Sequence, residues 1–171
     1  MIEQPYYTIP DCPEEITASN TIARFVDGLG FRYRWATEGL TESDLHFRPV
    51  VGSMDMTELL THIFSILTYT SYIFGGEKIK TKPETFPELR AKTLEVLYDL
   101  SSRLKKMDDA ELQNFKLINR MGRDEVSFWY FLNGPIADAL THVGQVVSWR
   151  RINGNPQPKG VHVFLGTVNF S

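Results

Sequence analysis

The sequence predicts an all-α protein, four long helices gathered into a bundle. Three observations carry that prediction. Apolar residues recur at alternating spacings of three and four in four separate stretches, the period of one helix face. Two of those stretches open with capping boxes. No strand–helix–strand rhythm of the kind that builds a parallel sheet interrupts them. The 171 residues suit a single domain spanning 1–171, long enough to bury one sizeable core. A content of 42% hydrophobic and 23% charged residues is that of an ordinary soluble globular chain.

Residues 1–16 contain three prolines and are expected to form an extended lead-in. A helical period starts at Thr17 and places Ile22, Phe25, Val26, Leu29, Tyr33, Ala36 and Leu40 on one face. Gly39 and the segment "TESDLHFRPVVGS" end it. The second helix has explicit start signals: Asp55 as cap, Glu58 at the third helical position, and Met54 placed to pack on Leu59. Its stripe is expected to hold Leu59, Ile66, Tyr69 and Ile73, and Gly75-Gly76 closes it. "EKIKTKP" reads as a polar connection.

Thr85 and Glu88 repeat the capping pattern around Pro87, which a first turn tolerates. Leu89, Thr93, Val96, Leu97, Leu100, Leu104 and Met107 form the third amphipathic stripe. Residues 108–126 predict a short irregular segment, a helical turn followed by an extended "FKLIN". The fourth helix covers much of 127–153, with "NGP" kinking or restarting it because Pro135 offers no amide. Arg150 and Arg151 suit the negative end of its dipole, and Gly154 with Pro156 stops it. The apolar tail 155–171 is expected to be extended and to pack on the bundle or on a neighbouring subunit.

Charge and cysteine content narrow the function classes. A formal net charge of −3 offers no basic field for nucleic acid. The single cysteine, Cys12, forms no intrachain disulfide and sits among Asp11, Glu14 and Glu15, which disfavour a reactive thiolate. The most apolar run, from Leu59, is interrupted by His62 and hydroxyl residues, so no membrane span is expected. The first residues lack a basic stretch followed by an apolar one, so no signal peptide is expected. The expected location is the cytoplasm.

One stripe of the fourth helix carries polar chemistry. In "ADALTHVGQVV", Asp138 and His142 are four residues apart, and Gln145 and Trp149 continue their face. The opposite side carries Ile136, Leu140, Val143 and Val147, so both faces are expected to look inward. A lone buried carboxylate costs on the order of several kcal/mol unless it is paired, ligated or neutralised. On the second helix His62 shares the stripe of Leu59, Ile66 and Tyr69. Two helices that each aim a ligand inward can share a metal ion. His62, Asp138 and His142 would then form a two-histidine, one-carboxylate set with open positions, a mix that suits zinc, nickel, ferrous iron or manganese. A core histidine paired with Asp138 would satisfy the same desolvation argument, and from the residues alone both stand. His46 reads as surface or local packing, His162 lies off the motif, and Gly144 allows a close helix contact or ligand approach. Tyr69 and Trp149 read as core aromatics.

"LLTHIFSIL" followed by "DALTHVGQVVSWRRINGNP" resembles the DinB-like superfamily of four-helix metalloenzymes. His62 matches that family's second-helix histidine, and His142-Val143-Gly144-Gln145 matches the end of its His-x-x-x-His-x-Gly-Gln run. The likeness covers roughly residues 17–160 through helix order, with motif specificity around His62 and 138–154. Asp138 departs from it, standing where many members carry the run's first histidine. The resemblance implies an up-down-down-up bundle, a homodimer, and metal-dependent thiol transfer, isomerisation or hydrolysis. Under it, His62, Asp138 and His142 hold a divalent metal, Gln145 supports a ligand from behind, and a low-molecular-weight thiol or other small molecule is substrate. The contrasting expectation is a non-catalytic dimeric small-ligand-binding or stress-response bundle in which Asp138–His142 is a structural buried pair.

Overall fold

A computed structural model describes residues 4–118 and 125–170. It is mostly helical, and its four long helices fall where the periodicity put them. These are α1 (Ala18–Thr37), α3 (Met56–Ile73), α4 (Phe86–Leu104) and α7 (Ala137–Ile152), with short helices α2 (Glu42–Leu45), α5 (Asp109–Gln113) and α6 (Phe128–Phe131) between them. The starts follow local chemistry. Asp55 accepts from the Glu58 amide while Glu58 reaches back to the Asp55 amide, and Thr85 and Glu88 do the same for α4. α1 lacks an acidic first turn. Its exposed amides are met instead from a distance, Asp109 of α5 accepting from Ala18 N and Ser19 N at 3.3 and 3.2 Å.

α1 packs on α4 and α7, and α3 packs on the same two helices, so α1/α4 and α3/α7 form two opposite sides of the core. Leu29, Leu60, Ile63, Leu67, Leu94, Leu97, Leu100 and Val146 are buried between them. Two stripes differ in part from expectation: on α1 Ile22, Val26, Leu29, Tyr33 and Ala36 are buried as expected, but one member is not. Phe25 of α1 is 48% exposed, because the buried arc centres on Ala23, Val26, Gly30 and Tyr33. On α3 the centre is Leu60, Ile63 and Leu67, which leaves His62, Ile66, Tyr69 and Ile73 on a half-buried flank.

The fourth helical segment is continuous but not uniform. Leu132–Ile136 form a π-helical turn that contains Pro135 and joins α6 to α7. Proline supplies no amide and its ring crowds the carbonyl four residues back, so the wider turn relieves a clash an α-helical turn would suffer. α7 ends as its glycine requires: Gly154 at φ 85 lets the Asn155 amide return to the Arg150 carbonyl at 2.9 Å. Before α6, the expected extended stretch is β1 (Lys116–Ile118), paired antiparallel with β2 (Glu125–Ser127). Asn119, the last residue of "FKLIN", lies outside the described residues.

Arg150 departs from its expected role. It is buried, and its guanidinium donates to the carbonyls of Trp35, Ala36 and Glu38 at 3.3, 2.9 and 2.9 Å and to Asn155 O at 2.7 Å. It therefore serves the C-terminal end of α1 rather than its own helix dipole. Beside it, Asp44 accepts from the Asn153 and Asn155 side-chain amides at 2.8 and 2.6 Å. Burial pushes the Asp44 carboxyl up, but those bonds and the ones from Thr41 outweigh it and hold the group at about 2.

The two terminal segments are more organised than a lead-in and an extended tail. Tyr6, at φ 68, sinks into a notch on α1 and donates to Asp27 at 3.1 Å, while Asp27 pairs with Lys105, the C-cap residue of α4, at 2.8 Å. The notch exists because residue 30 is glycine; a Cβ there would sit 2.3 Å from the Tyr6 ring. The C-terminal segment folds into a small hairpin, β3 (Val161–His162) with β4 (Thr167–Val168), and Gly166 accepts from the Ile9 amide at 2.8 Å. Phe170 closes on Trp35 of α1 at 5.3 Å between ring centroids. Among the described residues, no helix is long and apolar enough to cross a membrane.

Candidate metal centre

α3 and α7 bring His62, Asp138 and His142 together. The rotation of α3 is fixed by Leu59, Leu60 and Ile63, buried on either side of His62, and by its Asp55–Glu58 cap. α7 is held by Ala139, Val143 and Val146, whose modest side chains face the core. That leaves Asp138 and His142 one turn apart on the flank turned to α3. Asp138 Oδ1 lies 3.3 Å from His142 Nε2, and Asp138 Oδ2 lies 3.8 Å from His62 Nε2. The two imidazoles meet edge to face with centroids 4.8 Å apart. One ligand atom from each residue falls within 4.8 Å of the other two, and among the described residues no second cluster of three such side chains does so.

Gln145 completes the arrangement. Its Oε1 is 2.7 Å from His142 Nδ1, so Nδ1 carries the proton and donates, with the amide oriented as placed. In the neutral ring, Nε2 is then a bare lone pair aimed at a carboxylate oxygen. Two acceptors at that distance repel unless a cation, a proton or a metal ion, lies between them. The residues present therefore fit a divalent ion: two nitrogen donors, one oxygen donor, and an orienting bond behind one imidazole.

The expectation of a dry interior is corrected. The side chains of His62, Asp138 and His142 are 40%, 49% and 18% exposed. The apolar look of α7 comes partly from Ala137 and Gly144, small residues that face solvent rather than core. A half-exposed carboxylate keeps much of its hydration, so desolvation does not compel a partner for Asp138. Convergence of ligands, not burial, is what the geometry offers. The same exposure keeps the three side chains within reach of water.

The remaining sequence candidates fall elsewhere. His46 caps the end of α2 on the surface, with Nδ1 2.9 Å from Glu42 O. His162 lies in the C-terminal hairpin and is exposed, as is Cys12. Nothing approaches the position of a Cβ on Gly144, so that glycine makes no close helix contact. Tyr69 and Trp149 are half-buried on the flanks that carry the cluster. Comparisons with family models, with curated proteins and with solved structures find no match, so the functional reading stands on this geometry.

Proposed function

We propose that the chain is a metal-dependent enzyme whose centre is held by His62, Asp138 and His142, in an up-down-down-up bundle of the DinB-like type. The observation that supports it most directly is the convergence of two imidazole nitrogens and a carboxylate from two separate helices, with Gln145 fixing one tautomer. The reaction classes proposed are thiol transfer from a low-molecular-weight thiol, isomerisation, or hydrolysis. When bound, a divalent ion such as zinc, nickel, ferrous iron or manganese supplies Lewis acidity that lowers the pKa of a coordinated thiol or water. His62 and His142 present neutral nitrogen donors, Asp138 adds one negative charge, and Gln145 keeps the His142 ring in register. Asp138 in place of a histidine makes the set harder and less positive overall, favouring oxygen-ligated metals more than three imidazoles would.

We further propose a cytoplasmic homodimer. The apolar hairpin tip, with Phe164 99% and Leu165 73% exposed, is surface of the kind a subunit contact covers. Protein purified without an affinity tag is expected to carry close to one equivalent of divalent metal. His62→Ala and His142→Ala are expected to lose it with the helical circular dichroism unchanged. Absence of metal after reconstitution with several divalent ions would end the proposal.

One observation favours a second reading. The 3.3 Å separation of Asp138 and His142 is also that of an ordinary ion pair. A non-catalytic dimeric bundle that binds a small ligand or serves a stress response would need nothing more, and would pass the same experiment metal-free.

A further inference from the structure

On the α1/α4 side, away from the histidines, the N-terminal segment and α4 enclose an open groove of about 530 Å³. That volume lies within the range of small-molecule sites. Its lining has one consistent chemistry. Glu95 and Asp99 stand four residues apart on α4, a like-charge spacing that works against the helix. Asp99 is shared with Arg103 at 3.3 Å. Glu95 has no ion pair or hydrogen bond among the described residues. Between and beside the carboxylates are Tyr98 and Tyr7, 50% and 41% exposed, with the buried Tyr6 ring edge-on to Tyr98 at 6.2 Å.

One of these rings already takes a cation, Arg34 placing its guanidinium carbon 5.5 Å from the centroid of Tyr7, which leaves the half-exposed Tyr98 as the ring open to a ligand. An anion entering the groove would meet two carboxylates. A neutral apolar molecule would cover Glu95 without answering its charge. A cation with apolar substituents satisfies both the rings and the carboxylate.

We propose that the groove formed by Tyr7, Glu95, Tyr98 and Asp99 binds a small organic cation of the alkylammonium class. The exposed Tyr98 ring takes the apolar substituents and the cationic centre, Tyr7 flanks them, and Glu95 supplies a charge that no described residue pairs with. The site is independent of the histidine cluster, which lies on the α3/α7 side.

The test titrates the full chain with choline and, in parallel, with 3,3-dimethylbutan-1-ol, its neutral isostere, following backbone amide shifts by NMR. Choline is expected to give saturable shifts confined to Tyr7, Glu95, Tyr98, Asp99 and their neighbours, weakening as salt is added. The neutral alcohol is expected to give none at the same concentrations. Glu95→Gln and Tyr98→Leu, both substitutions of exposed residues and expected to leave the helical circular dichroism unchanged, are each expected to weaken choline about two- to fivefold. Non-saturable shifts, equal response to the alcohol, shifts centred elsewhere, or unchanged affinity in both variants would overturn the proposal.

Discussion

At the scale of single residues, the clustering of His62, Asp138 and His142 was legible because most of it is local. Asp138, His142 and Gln145 lie at spacings of four and three on one helix, and that arithmetic survives any packing arrangement. His62 was placed by its stripe with Ile66 and Tyr69, which the structure keeps as a flank rather than a core line. Exposure was not legible, because alanine and glycine read as apolar in sequence while costing nothing to leave in water. The residue most open to test is Gln145. If it holds the His142 ring for a metal, Gln145→Leu should weaken metal affinity about 10- to 100-fold while stability changes little. Equal affinity in a competition titration with a chromogenic chelator would show that the 2.7 Å bond orients nothing of consequence.

At the scale of elements, helix starts were written in the sequence and helix partners were not. Asp55, Glu58, Thr85 and Glu88 act within four residues, so their role needs no tertiary knowledge. "NGP" announced a disturbance, and a proline's missing amide explains it, but whether the chain would break or widen depends on what packs around it. Arg150 and Arg151 are the sharpest contrast. The two look equivalent in sequence, yet one is buried against the end of α1 and the other is exposed. Arg150→Met should therefore leave several buried carbonyls without donors and cost about 3 kcal/mol or more in urea unfolding, whereas Arg151→Met should stay within about 0.5 kcal/mol. The neighbouring Asp44 adds a pH signature. Its folded value of about 2 lies below the ordinary 3.8, so its contribution is complete above roughly pH 4 and is lost as pH falls through 2. The stability gap between wild type and Asp44→Asn should accordingly shrink by about 2 kcal/mol between pH 5 and pH 2. A gap that holds constant across that range would show the carboxylate to be no better stabilised in the folded state than in the unfolded chain.

At the scale of the whole molecule, the two sides of the helical core carry different burdens. The α3/α7 side presents the histidine cluster. The α1/α4 side is wrapped by both terminal segments, which meet through Ile9 and Gly166 and close over Trp35. This wrapping was invisible in sequence because it depends on an absence: the missing side chain at residue 30, which admits the Tyr6 ring. Two effects oppose one another there. Alanine is favoured over glycine inside a helix by about 0.5–1 kcal/mol. Against that, a new Cβ would lie 2.3 Å from the Tyr6 ring, and overpacking of this kind costs about 1–3 kcal/mol. The clash should win, so Gly30→Ala is expected to destabilise the protein, expel Tyr6, open residues 4–16 to protease and change the Trp35 fluorescence. In a Tyr6→Ala background the obstacle is gone and only the helix preference is left, so the same Gly30→Ala step should turn neutral or stabilising. If the proposed metal centre is right, metal uptake should be untouched in all three variants, because the α3/α7 side does not depend on the wrapping. A Gly30→Ala protein as stable as wild type, with its first residues still protected, would show that Tyr6 is not held in the notch.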